Sequence, residues 1–270
     1  MGTYIVGDIH GCFEEWITLK NRVEEIDSKA VFILVGDIID RGRQTIPMLE
    51  WAMKNITPAG KYQMIIGNHE FEKIDWIKSY LKQVEQSQTE GRHFNLEQMV
   101  DDNYEFRCNC LQANISNEQL SEIMYFFESL PYYKDLVVDH GKRRQHYIIV
   151  HSGIHKTMIN KNESFKKKSI LNSHNDAWMS FITEVNKEYI LWNRNYKGNS
   201  WLKNTIVIHG HTPTISKQCT SRGAISGKIW YNCCDINIDC GLVYGRSEKY
   251  KEANLAAIRL EDLEEFYVYT

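Results

Sequence analysis

What this chain has little of narrows it before anything it contains. Four prolines in 270 residues, with no Gly/Ser-rich tract, exclude a string of domains on flexible or extended linkers, so a single unit over 1–270 is expected. No apolar run approaches ~18 residues. Met1 leads straight into Tyr4-Ile5-Val6 with no basic stretch, apolar segment or small-residue cleavage site, so neither a membrane span nor a secretory leader is expected, and the location expected is cytoplasmic. Neither sign of charge is in excess: the net charge is −3 and the pI about 6.4. No long-range field gathers a polyanion, and stable nucleic-acid binding is not expected. The seven cysteines are an odd number without framework spacing, which reads as reduced thiols.

What is present is core and periodicity. Hydrophobic residues make up 43% of the chain and aromatics 12%, enough for a sizeable interior and too much for a disordered chain. Residues 3–6 and 31–35 are β-branched apolar runs, each ending at Gly-Asp, as buried strands feeding loops should. Between them, Phe13, Trp16, Ile17, Leu19, Val23 and Ile26 recur at helical spacing, which makes a βαβ unit. A helix is expected over 45–54 and a third strand over Tyr62–Ile66, ending at Gly67-Asn68-His69-Glu70. From about 71 to 130 the chain turns polar and reads as a helical insertion, with a loop at 86–91. Strands then resume at 132–138, 147–150, 206–208, 236–238, 256–260 and 265–269.

The informative pattern is where polar residues fall. Asp8 and His10, Asp37 with Asp40 and Arg41, Asn68 and His69, His151, and His211 each follow an apolar strand, most of them beside glycine. In an open α/β sheet the carboxyl ends of the strands form the ligand crevice, and glycine lets backbone approach a metal or phosphate. Oxygen and imidazole donors gathered there suit divalent manganese, iron or zinc, whereas thiolates would point elsewhere.

Five segments in this order, Gly7-Asp8-Ile9-His10-Gly11, Gly36-Asp37-Ile38-Ile39-Asp40-Arg41-Gly42, Gly67-Asn68-His69-Glu70, His151-Ser152-Gly153-Ile154 and Gly210-His211-Thr212, resemble the signature of the phosphoprotein phosphatase family within the calcineurin-like metallophosphoesterases. Leu191-Trp192-Asn193-Arg194 and Asn237-Ile238-Asp239-Cys240-Gly241 are similar to its bacterial and phage serine/threonine phosphatase members, although the family usually carries Thr where Cys240 stands. The resemblance implies an α/β fold, an αββα sandwich of two mixed β-sheets flanked by helices. It implies two divalent metal ions, manganese foremost with iron or zinc compatible. One would be held by Asp8, His10 and Asp37, the other by Asp37, Asn68, His151 and His211, with Asp37 bridging. Arg41, Arg194 and Asn68 would bind the substrate phosphate. His69 would protonate the leaving oxygen, oriented by Asp40, and water activated between the ions would attack directly, without a covalent intermediate.

On this reading the substrate is a phosphoprotein or a nucleotide: phosphoserine or phosphothreonine in proteins first, a symmetrical dinucleoside tetraphosphate as the alternative. A catalytically silent scaffold would be missing a ligand or the acid, and none is missing. A nucleic-acid phosphoesterase is a further alternative, with the aromatics of 76–135 either stacking bases or packing helices. His209 should point away from His211. His93, His140, His146 and His174 read as solvated, as do the runs 142–144 and 166–168. Cys12, beside the first loop, is a candidate for oxidation, while Cys108, Cys110, Cys233 and Cys234 lack zinc-site spacing.

Overall fold

The computed structural model describes residues 1–99, 102–141, 144–154, 187, 190–194 and 205–270. The elements of the first half are β1 (Thr3–Val6), α1 (Phe13–Ile26), β2 (Val31–Leu34), α2 (Thr45–Asn55), β3 (Tyr62–Met64), α3 (Asn68–Thr89), α4 (Tyr104–Gln112) and α5 (Asn117–Ser129). The second half adds β4 (Tyr133–Asp139), β5 (Arg144–Val150), β6 (Thr205–His209), the short α6 (Lys217–Thr220), β7 (Trp230–Asn232), β8 (Asp235–Asn237), β9 (Asn254–Arg259) and β10 (Glu265–Tyr269).

Two five-stranded mixed sheets result, ordered β10-β9-β1-β2-β3 and β4-β5-β6-β8-β7. In the first, β1, β2 and β3 run parallel, with Ile5 opposite Ile33, while β9 and β10 are antiparallel additions. In the second, β5, β6 and β8 run parallel between antiparallel edges. The two-residue period decides what each sheet face meets. Ile5 and Ile33 join Tyr147, Ile149, Ile208, Ile236 and Ile238 in the core between the sheets. Tyr4, Val6, Phe32 and Leu34 face the opposite way, toward the helices. Strands buried on both faces explain the uninterrupted apolar runs.

α1 presents Trp16, Leu19 and Val23 to that outer face, with the Trp16 ring edge-on to Phe32 at 5.7 Å and to Trp51 at 5.0 Å. Truncating a ring so enclosed costs about 3–5 kcal/mol. α5 begins at Ser116, whose hydroxyl accepts from Gln119 N while the Gln119 side chain accepts from Ser116 N, a reciprocal cap whose loss costs about 1 kcal/mol. Its Leu120, Ile123, Met124 and Phe127 are buried at helical spacing.

Three sequence expectations shift. α3 begins at Asn68, before the expected insertion start at 71, because Glu70 caps it from its third position. It continues over 86–89 of the expected loop and ends at Thr89, followed by Gly91, whose φ of +68° a side chain would resist. β7 was not anticipated. The aromatics of 76–135 are mostly core, with Trp76, Tyr80, Phe106 and Phe127 buried, although Tyr104 and Tyr125 are exposed. Among the described residues no helix is long and apolar enough to cross a membrane.

Candidate metal centre

The parallel strands of both sheets deliver their carboxyl ends to one place. Asp8 and His10 follow β1, Asp37 follows β2, Asn68 follows β3, His151 follows β5 and His211 follows β6. The loops are tied to one another by backbone bonds, His10 N to Asp37 O at 2.9 Å and Gly210 N to His151 O at 2.8 Å. Their shape is costly. Of eight non-glycine residues with positive φ among the described residues, five are His10, Asp37, Asp40, Arg41 and His211, the kind of strained backbone that persists where a site demands it. Glycine supplies the clearance: a Cβ on Gly210 would lie 1.9 Å from Asp8 Oδ1, and one on Gly67 2.2 Å from Asp37 Oδ1.

Asp37 is the hub. Its Oδ2 lies 3.3 Å from His151 Nε2, 3.7 Å from His10 Nε2 and 3.9 Å from His69 Nε2, and its Oδ1 accepts from His69 N at 3.0 Å. Two donor clusters share it, His10-Asp37-His69 and Asp37-His151-His211. Asp8, His10, Asp37, Asn68, His151 and His211 are all buried. Asn68 Oδ1 is 2.9 Å from His151 Nε2 and 2.8 Å from His211 Nδ1. His10 and His151 donate their Nδ1 protons to the carbonyls of Ile39 and Val35, at 2.9 and 2.8 Å, which aims each Nε2 at the centre.

Asp8 Oδ1 and His211 Nε2 are buried with no hydrogen-bond partner among the described residues. Burial, reinforced by the neighbouring Asp239 and Asp37, pushes the Asp8 carboxyl well above its usual range. Burial also opposes charge on Asp37, but His151 and the other imidazoles outweigh it and hold that carboxyl well below its usual range. Burial lowers His10 to about 3 and His211 to about 2, with Arg41 reinforcing the first and His151 the second. His151 goes the other way: the charge of Asp37 overcomes burial and raises it to about 9. Crowded carboxylates, neutral imidazoles and unpartnered lone pairs are what a divalent ion relieves, and its arrival would release the His151 proton. The donor set fits.

At the rim, His69 Nδ1 donates to Asp40 Oδ2 at 2.7 Å. Burial disfavours its charged form, but Asp37 and Asp40 outweigh this and raise its pKa. Arg41 donates Nη1 to His10 Nε2 at 2.8 Å and Nη2 to His69 Nε2 at 3.0 Å. Arg194 is exposed and donates to Thr212 Oγ1 at 3.0 Å. Both guanidiniums lie close enough to His211 to disfavour its charge. Every residue expected at the site from the sequence is thus described, and all ten gather here.

A family model described as calcineurin-like phosphoesterase matches residues 1–236. The chain belongs to that family. Calcineurin-like phosphoesterases are hydrolases that work with two metal ions, and the paired clusters around Asp37 correspond to such a centre. The chain is 28% identical over 251 residues to an asymmetrical bis(5'-nucleosyl)-tetraphosphatase of Geobacillus sp., covering 89% of this chain and 86% of the relative. It is 26% identical over 249 residues to one of Oceanobacillus iheyensis, covering 89% and 84%. In fold it matches a serine/threonine phosphatase of Saccharomyces cerevisiae, at a TM-score of 0.52 and 13% identity over 99% of this chain and 79% of that one. It also matches a protein-tyrosine phosphatase of a Shewanella species, at 0.51 and 16% over 98% and 79%.

Three supporting residues have roles that the sequence did not assign, although Glu70 and Asp239 stand within its motifs. Glu70 is fully buried and accepts from Asp37 N, Ile38 N and Gly67 N at 2.9 to 3.0 Å, lashing two metal loops together. Lys73 is buried 2.8 Å from Asp40 Oδ2; its spacing of four from His69 on a helix was the available signal. Asp239 is buried, and its loop accepts from Thr214 N, while Asn237 donates to Thr212 O at 2.8 Å. The loop containing Cys240 therefore braces the turn that carries His211.

Other expectations are corrected. His140 and His146 are half-buried and held by partners: His140 Nε2 lies 3.1 Å from the Tyr147 hydroxyl, and His146 pairs with Asp135 and lies 3.1 Å from Thr205 Oγ1. Cys12 is buried, which pushes its thiol up to about 12, so the reactive thiolate is suppressed. His93 is exposed as expected, and all seven cysteines are free. His209 is buried and its Nδ1 meets Gly210 O, away from the centre. His155, His174 and the runs 142–143 and 166–168 lie outside the described residues.

Proposed function

We propose that this phosphoesterase hydrolyses a dinucleoside tetraphosphate, using Asp8, His10 and Asp37 for one divalent ion and Asp37, Asn68, His151 and His211 for the other, with manganese as the ion of choice. The observation carrying the catalytic part is the carboxylate of Asp37 set among three imidazoles, with one orphaned donor atom on each of Asp8 and His211. When bound, the ions would polarise the phosphoryl oxygens and acidify the attacking water. The protein's own groups do the rest. Arg41 and Arg194 offer paired N–H donors to the phosphate oxygens. A phosphate that takes the Arg41 donors withdraws them from His10 and His69, freeing the Nε2 of each. With that Nε2 released and protonation favoured by Asp37 and Asp40, His69, held by Asp40 at Nδ1, takes up a proton from solvent at Nε2 and gives it to the departing oxygen. Asn68 contributes a donor to the same phosphate.

The nucleotide substrate rests on the relatives that match along most of their length, each named as an asymmetrical tetraphosphatase. One observation favours a second substrate, phosphoserine or phosphothreonine in a protein. The segment Leu191-Trp192-Asn193-Arg194, which resembles bacterial serine/threonine phosphatases, is docked here through Asn193 N to Ser152 Oγ at 2.9 Å and sets Arg194 at the rim. The test is kcat/KM on diadenosine tetraphosphate against a phosphothreonine peptide, with manganese supplied and the products resolved. ATP plus AMP at a large preference for the dinucleotide supports the first reading, and ADP alone makes the cut symmetrical. A large preference for the peptide reverses the choice, and no turnover of either defeats both.

A further inference from the structure

Lys73 is an ammonium in an unexpected place. Its side chain is 4% exposed, and a lysine is rarely buried to this depth without specific partners. It has two. Nζ lies 2.8 Å from Asp40 Oδ2, the same oxygen that accepts from His69 Nδ1 at 2.7 Å, and Nζ donates to Asn103 Oδ1 at 2.7 Å. The ring of Phe106, itself fully buried, lies 5.7 Å from Nζ. Asn103 is the residue before α4 and Phe106 lies in its first turn, so the cation is gripped from one side by α4 and grips Asp40 on the other. The remaining oxygen of Asp40 has no hydrogen-bond partner among the described residues. The orientation of the carboxylate that holds His69 therefore depends on one oxygen and its two donors.

We propose that Lys73 is a positioning residue for the proton-donating step: clamped by Asn103 and Phe106, it fixes the Asp40 carboxylate so that the His69 ring is held toward the leaving oxygen. This rests on the reading of His69 as the acid. It also gives the helical segment a role in the chemistry, since α4 supplies the two groups that seat the lysine.

Protonation of the leaving oxygen matters most when that oxygen is basic and least when it departs readily as an anion. A defect in aiming His69 must therefore scale with leaving-group basicity, which a general loss of packing does not. The experiment measures kcat and KM for the manganese-loaded enzyme and for Lys73→Met on 4-nitrophenyl phosphate, phenyl phosphate and an alkyl phosphate. The expected result is a kcat loss of less than about 3-fold on the nitrophenyl ester and more than about 30-fold on the alkyl ester, within the range acid catalysis supplies. KM should change by less than about 2-fold on all three. Lys73→Gln, which keeps an N–H donor, should recover most of the loss. If Lys73→Met does not fold, the same series run on Lys73→Gln against Lys73→Gln/Asp40→Asn decides, because Gln at 73 should bring no benefit once the carboxylate is gone. An equal loss on all three esters overturns the proposal while leaving the phosphoesterase reading intact. A wild-type enzyme that under manganese hydrolyses diadenosine tetraphosphate but none of the three esters overturns the proposal alone, and one that hydrolyses neither overturns the reading with it.

Discussion

His69 makes contacts at both ring nitrogens, Asp40 at Nδ1 and Arg41 at Nε2, and it is not among the six residues proposed to hold the ions. Replacing it by Asn should separate proton delivery from metal binding. The expected outcome is a fall in kcat of about 10²–10⁴-fold on a substrate with a basic leaving group, with two manganese ions per chain retained in elemental analysis. Asp37→Asn should do the opposite, because the three surrounding imidazoles lose their shared counter-charge. Metal affinity should fall by about 100-fold or more, beyond the cost of altering an outer partner, and turnover should vanish with it. Retained manganese in the Asp37 variant, or lost manganese in the His69 variant, would reverse the two assignments. These residues were legible in the sequence because ligands at strand ends are spaced by the fold. Glu70 and Lys73 were not, because a charged side chain becomes a buried buttress only through partners far away in the chain, such as Asn103 for Lys73.

Elements matter here through how they hold loops still. Gly210 joins β6 to His211, and an added methyl would sit 1.9 Å from Asp8 Oδ1, so Gly210→Ala must displace either the carboxylate or the turn. The expected cost is about 1–3 kcal/mol of stability, and manganese occupancy should drop below two ions in a chain that still unfolds cooperatively; full occupancy at both sites would contradict the geometry. A second element-level device lies on the helix side of the first sheet. Glu24 at the end of α1 receives Lys20 at 2.8 Å, Lys61 at 2.7 Å and the Tyr62 hydroxyl, tying α1 to β3. Burial would raise this carboxyl, but the hydrogen bonds from Lys20, Lys61 and Tyr62 outweigh it and bring it down to about 2. A depressed folded value means the stabilisation is fully present above the unfolded value of about 4.3 and is lost as pH falls from there through about 2. In melting experiments, Glu24→Gln should sit a constant interval below the parent from pH 7 to about 5, and the interval should close below about pH 4. An interval unchanged down to pH 2 would show that the carboxylate charge is not what joins the two elements. Most element positions were legible from the two-residue and 3.6-residue periods. The ends of α3 were not, because its start depends on Glu70 reaching back to Gly67 and its stop on the left-handed conformation of Gly91.

At the scale of the whole molecule, the site is where the two sheets meet. Asp8, Asp37 and Asn68 follow strands of the first sheet, while His151 and His211 follow strands of the second. Between those ends the interface is an apolar layer of Ile, Val and Tyr side chains, and the buried polar donors cap one edge of it. Without a cation, the crowded carboxylates and unpartnered donor atoms at that edge would work against the association that the apolar layer favours. Bound divalent ions should therefore add to stability by linkage and not only to turnover. At free manganese about 100-fold above its dissociation constant the gain is about 2.7 kcal/mol for each ion, which for a chain of this size is a rise in melting temperature of about 5–10 °C per ion. Chelation followed by dialysis should remove both this increment and the activity, and manganese should restore both together. The variant Asp37→Asn should melt at the same temperature with and without the ion. If chelation abolishes turnover while the melting temperature stays fixed, the ions act only on the substrate, and the two sheets are held by their apolar layer alone.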